Sequence, residues 1–322
     1  MDGPIDRWRE SDRRSRDRRS AREDRRPGSV RRQLERVGFV VAAVGILGAA
    51  VALTAPHTAD SFRAVAPSSA QPPALLTDFE LAAAKPERKR EPKPELIPSA
   101  NALRSAKAFA AERGGLVSFA TIDSKGRLRG EDMDRLYSAA SVVKAMVLAA
   151  ELWRLDHERS PIDEGTDSLL SSMIRYSDNE AADAVYARVG DAGMHDVAKR
   201  AGMTGFEIAG HWGNAQITAG DMARFFADLE DMFPRRHVGY AQRLLASVIS
   251  SQSWGIPVAA GEDWAPRFKG GWLPDKALVH QAAELRERGG PRQISIAILT
   301  DEQPSYSYGV ETVEGVAKRL LD

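Results

Sequence analysis

Ser141 and Lys144, in the run Tyr137-Ser138-Ala139-Ala140-Ser141-Val142-Val143-Lys144, stand three residues apart at the head of an apolar stretch. On a helix that spacing puts both on one face, so a hydroxyl and an amine come within reach of each other. A serine hydroxyl is a weak nucleophile and needs a base. A lysine can be that base if desolvation and nearby positive charge keep it neutral. A helix N-terminus adds free N–H groups and a positive dipole end, suited to a developing oxyanion. Taken alone, the pair reads more simply as an N-cap serine with an exposed lysine one turn later.

Two further runs have the same ambiguity. In Tyr176-Ser177-Asp178-Asn179-Glu180, Ser177 can relay a proton and Asn179 can hold substrate by its amide. The plain alternative is a capping box, Ser177-x-x-Glu180, at a helix start. In Phe268-Lys269-Gly270-Gly271-Trp272, two glycines inside an expected strand point to a turn or to close approach by a ligand. Lys269 beside them is either a fixed cation for a substrate carboxylate or an edge lysine before a turn.

The elements that must position these residues follow from periodicity. Residues 101–113 read as an amphipathic helix, and 116–122 as a strand that turns at Ser124-Lys125-Gly126 into a second. Helices are expected near 141–156, 163–175, 179–189, 192–201, 218–230 and 238–250. Strands return at 267–272, 277–284 and 294–300, the last pair joined by a turn at Arg288-Gly289-Gly290-Pro291, and a helix over 308–321 follows. Strands at both ends of a helical block predict an α/β domain of the segregated, α+β kind, its antiparallel sheet completed from both ends.

Ahead of this domain, over 100–322, the chain changes character twice. Residues 1–36 are dominated by arginine, cannot bury a core and are expected to be a disordered cytoplasmic tail. Residues 37–55 carry no charge and nearly match the ~30 Å hydrocarbon layer, predicting a single-pass anchor. Arginine on its N-terminal side places the N-terminus in the cytoplasm and the domain outside. Pro56 argues for a retained anchor over a cleaved signal, and the likeness of 29–34 to a twin-arginine signal is weak. Residues 56–99, rich in Pro, Ala and charge, are expected to be an extended linker.

Composition removes several classes. There is no cysteine, so disulfides, a thiol nucleophile and cysteine-bound zinc are excluded; six scattered histidines predict no metal site and no cofactor. With 45 basic residues against 45 acidic ones, nucleic acid is not expected as a partner. No G-x-S-x-G elbow is present, which disfavours an α/β-hydrolase.

Together, the three runs resemble, in order, the S-x-x-K, S-D-N and K-T-G set of class A β-lactamases and penicillin-binding proteins. AASVVKAMVLAAEL, YSDNEAADAV and ITAGDMARFFADL are also similar to that family, over about 100–322. The resemblance implies a β-lactamase-like serine hydrolase fold: a sheet flanked by terminal helices, an all-helical lobe, and a site between them. It implies Ser141 as the acylated nucleophile, Lys144 as its activating partner and Ser177 as proton relay to the leaving nitrogen. Asn179 would bind the substrate's side-chain amide and Lys269 its carboxylate, with Gly270 and Gly271 in the same wall. The N–H groups of Ser141 and Trp272 would form the oxyanion hole.

Two departures from that pattern stand out. Gly270 replaces the usual hydroxyl residue of the third motif. The family's E-x-x-x-N loop, whose Glu activates the deacylating water, is absent: Gly210 stands four residues before Asn214, leaving Glu207 and His211 as the only nearby candidates. The expected substrate is therefore a β-lactam or a related amide. Alternatives are a peptidoglycan D,D-peptidase of penicillin-binding type, or a non-catalytic β-lactam or cell-wall sensor.

Overall fold

In the computed structural model, residues 97–322 are described, apart from Pro274 and Lys276. The tail and the anchor, and nearly all of the linker, lie outside the described residues. Among those described, no helix is long and apolar enough to cross a membrane.

The strands are β1 (Leu116–Ile122), β2 (Leu128–Glu131), β3 (Tyr137–Ser138), β4 (Gln216–Ile217), β5 (Trp264–Leu273), β6 (Leu278–Glu287) and β7 (Gln293–Asp301). Five of them form an antiparallel sheet in the order β2-β1-β7-β6-β5. The last strand in sequence thus sits at the centre, pairing Phe119 with Ile298 on one side and Ala282 with Ala297 on the other. β6 and β7 are buried almost throughout; β7 reads as a mostly apolar run without alternation, whereas β6 also buries His280, Gln281 and Glu284. The two hairpin turns expected from glycine fall where the spacing put them, with Gly126 and Gly289 both at positive φ.

The helices are α1 (Ala100–Ala111), α2 (Lys144–His157), α3 (Glu164–Arg175), α4 (Asn179–Arg200), α5 (Ala219–Phe225), α6 (Leu229–Met232), α7 (Val238–Leu245), α8 (Ile256–Ala260) and α9 (Tyr306–Leu321). α1 buries Ala102, Ala106 and Ala110, a four-residue stripe, and packs on α9. Their contact is close: a Cβ on Gly315 would lie 2.4 Å from the Phe109 ring. α2 is buried from Lys144 to Leu152 on all sides, which explains a helix apolar all round. α3 and α4 pack beside it to form the helical lobe.

Several sequence expectations need correction. The helix expected to start at Ser141 starts at Lys144, after a 3₁₀ turn over Ala140–Val143. Lys144 is fully buried and not an exposed lysine. The helix of 218–230 divides into α5 and α6, because the chain breaks at Asp228, whose side chain accepts from Glu230 N. The one of 238–250 ends at Leu245. The helices of 179–189 and 192–201 form one element kinked at Gly190, whose φ is +58°. Ser177 caps nothing: the Asp178 side chain accepts from Ala181 N and starts α4 instead. Gly270 and Gly271 make no turn, since β5 runs through them in register with Gln281 and His280. The short β3–β4 pair and α8 have no counterpart in the periodicity.

Candidate active site

Ser141 lies on the 3₁₀ turn that joins β3 to α2, with Ala140 before it at φ +45°. That backbone is strained for a residue with a side chain, and surrounding contacts hold it. Ala139 N donates to Ala215 O at 2.9 Å, tying the turn to β4. Opposite, a Cβ on Gly271 would stand 2.7 Å from both Ser141 N and Val142 N. Only glycine lets the edge strand β5 approach this closely. The Ser141 hydroxyl is partly exposed and makes no hydrogen bond among the described residues.

The two lysines converge on Ser177. Lys144 Nζ donates to Ser177 O and to Asn179 Oδ1, both at 2.6 Å. Lys269 Nζ donates to Ser177 Oγ at 3.1 Å and to Gly270 O at 2.8 Å. Ser177 can offer both oxygens because its own backbone is left-handed, φ +60°. Both lysine side chains are fully buried, and neither pairs with a carboxylate. Burial pushes the Lys144 amine down to about 8, against the opposing pull of Asp178 and Asp183. Burial, with the charge of Lys144 nearby, holds Lys269 well below the ordinary lysine range. The reach from Lys144 to Ser141 expected from their spacing is not made as a hydrogen bond here.

On β5 the side chains alternate. Lys269 and Gly271 face the Ser141 turn. Gly270 and Trp272 face the other way: a Cβ on Gly270 would rest 3.5 Å from Trp254, an ordinary contact, and Trp272 meets Trp254 edge-on at 6.1 Å. A side chain would therefore fit at Gly270, and its absence is no packing demand of the strand.

The remaining wall is the segment 204–217. Glu207 is exposed and pairs through its main chain with Gln216. His211 is also exposed: Gly213 N donates to its Nδ1 at 3.0 Å, so Nε2 carries the proton and donates to Asp183 Oδ1 at 2.9 Å. Its one basic lone pair is thereby occupied. Neither residue bonds to Ser141, Lys144, Ser177 or Lys269.

Two residues that sequence reasoning missed do meet the site. Trp212 is buried with its ring centre 4.7 Å from Lys144 Nζ, and its Nε1 donates to Asp183 Oδ1 at 2.6 Å. No spacing rule joins Asp183 on α4 to Trp212 on a loop, so no local signal could have found them. Among the described residues, no group of three or more His, Asp or Glu is arranged to hold a metal.

A cleft of about 680 Å³ opens elsewhere, between α2 and α4, lined by Trp153, Arg154, His157, Arg188 and Arg200 among others. Its basic residues fall mostly in the last turns of the two helices, where cations complement the helix dipole. We take the Ser177-centred cluster as the functional site, because it alone combines the three motifs with displaced titrations.

Comparison with known proteins supports the fold. Residues 164–322 match the model of the beta-lactamase enzyme family, a span that includes Ser177, Asn179 and Lys269 and begins after Ser141. A beta-lactamase from Sphaerobacter thermophilus is similar at a TM-score of 0.60 and 18% identity, over 67% of this chain and 95% of that one. A class A beta-lactamase from Mycobacterium abscessus gives 0.60 and 18%, over 68% and 98%. The structure of PBP-A gives 0.62 and 16%, over 71% and 97%. No curated protein matches. The described domain has the fold of class A beta-lactamases and penicillin-binding-type serine hydrolases, and its residues 164–322 are similar to the beta-lactamase enzyme family.

Proposed function

We propose that this chain is an acyl-enzyme serine hydrolase in which Ser141 attacks the carbonyl of a β-lactam or a related amide. Lys144, once neutral, takes the Ser141 proton, and the N–H groups of Ser141 and Trp272 hold the oxyanion. Ser177 passes a proton to the leaving nitrogen, Asn179 binds the substrate's amide, and Lys269 receives its carboxylate beside Gly270 and Gly271. An anchor over 37–55 and the linker behind it would hold this domain outside the membrane.

The observation that carries this reading is the meeting of two fully buried lysines on one serine. Buried lysines without carboxylate partners are costly, and such displaced groups concentrate where proton transfer is done. A second reading, a penicillin-binding-type peptidase or a sensor that stays acylated, is favoured by one specific feature. Both ring nitrogens of His211 are bonded within the loop and to Asp183, and Glu207 makes no bond to Ser141, Lys144 or Ser177.

Intact-mass spectrometry over time with penicillin tests both. A penicilloyl adduct is expected on the wild type and none on Ser141→Ala, with Lys144→Ala slowed by about 10³-fold. No adduct on the wild type overturns the proposal. An adduct cleared within seconds points to a β-lactamase, and one persisting for hours to the peptidase or sensor.

A further inference from the structure

The 204–217 segment is held far more firmly than an exposed loop needs to be. Thr204 N and Gly205 N donate to Asp221 at 2.8 and 3.0 Å, and Gly210 N donates to Asp191 at 2.8 Å. Asn214 Nδ2 donates to Ala209 O at 2.8 Å. Tyr186 packs edge-on against His211 and bonds to Asp191. All of this converges on the 3₁₀ turn Trp212–Asn214, which packs against the turn that carries Ser141. Trp212 is the loop's side chain that lies over Lys144.

We propose that Trp212 is a positioning residue: locked onto Asp183, its indole lies over Lys144 and keeps water from the amine and from the Ser141 turn. The loop then serves the site by exclusion, not by supplying a base. Asp183 is suited to the lock because one oxygen, Oδ1, receives both Trp212 Nε1 and His211 Nε2. The charged groups facing Lys144 are Asp178 and Asp183 from the start of α4 and Lys269 from β5; the loop's titratable groups, Glu207 and His211, make no bond to Lys144. Burial outweighs the two carboxylates in setting the amine's proton affinity, so the ring that completes the burial has leverage. The consequence for acyl lifetime rests on Ser141 being the nucleophile; the covering of Lys144 does not.

The test is NMR titration of the Lys144 side chain in the folded domain, which needs no substrate. The wild-type midpoint is expected near 8. Trp212→Ala lets water back to the amine and should raise it by about one unit or more. Trp212→Phe keeps the ring and should leave it within a few tenths. Asp183→Asn removes a charge that favours the cation and should lower it slightly. An unmoved or lowered midpoint in Trp212→Ala, or a Phe variant displaced as far as Ala, overturns the proposal. If the alanine variant does not fold, Trp212→Leu takes its place, with a smaller rise expected and the same overturning result. In acylated protein, Trp212→Ala should release the penicilloyl group at least ten times faster than Trp212→Phe. Failure of penicillin labelling would sink the acyl-enzyme reading while leaving the titration result standing.

Discussion

Around Ser177, two lysine amines are stripped of water and share one residue's oxygens, whereas on the 204–217 loop the acid and the imidazole stand in solvent. In the first region burial has displaced the proton affinities; in the second the side chains are exposed and bond to none of Ser141, Lys144, Ser177 and Lys269. General acid–base work needs groups whose titration has been moved and aimed. By that measure the groups suited to proton transfer lie around Ser177, in keeping with the proposed acylation of Ser141. What the loop presents to the site is an indole, fixed by Asp183.

The contrast can be broken first at β5, where the two adjacent glycines should behave differently. Gly271→Ala drives a methyl into the Ser141 backbone, which must shift. We expect about a 10²-fold loss in the rate of acylation and about 1–3 kcal/mol of stability. Gly270→Ala meets only ordinary contact with Trp254 and should change stability by less than about 1 kcal/mol. Stopped-flow acylation and urea unfolding on the two variants read this directly, and equal effects would remove β5 as the wall that sets Ser141.

A second expected effect is on stability against pH. Lys144 titrates near 8 when folded and near its ordinary 10.5 when unfolded, so between those values the unfolded chain binds more protons. Stability should therefore rise with pH in that window, by about 2 kcal/mol from 8 to 10. Above about 10 the buried Tyr137 and half-buried Tyr240, raised in the fold, work in the opposite direction. Chemical denaturation of wild type and Lys144→Met across pH 7–10 checks this: the variant should lose much of the rise. The smallest effect belongs to the loop. Glu207→Gln and His211→Gln should each alter the release of an acyl group by less than about threefold, measured by mass spectrometry. A tenfold slowing by either would restore that residue as a base and weaken the contrast.

Much of this was legible beforehand because it is local. The stripe of α1, the apolar run Ala145–Ala150 of α2 and the glycine turns at Gly126 and Gly289 are written at helical or turn spacing. The three motifs also came out in order, with the fold they imply. What was not legible is tertiary. Ser177 gave way to Asp178 as the N-cap, which freed it to take a left-handed backbone and both lysines. The β3–β4 pair has two residues per strand, too few for alternation to register. The Asp183–Trp212 bond joins residues 29 apart in the chain that share no local pattern.

The central place of β7 has a consequence for the order of events during synthesis. β1 finds no neighbour on one flank until residues near 293–301 exist, since Ser118 pairs with Leu299 and Ala120 with Ala297. Almost the whole domain must emerge before its sheet can close, and pairings this distant in sequence make folding slow. The edge strand that bears Lys269 depends on the same closure through β6. A chain stopped before β7 is thus expected to hold every motif residue and yet have no site, and a growing chain to lack a closed sheet until nearly its last strand is made.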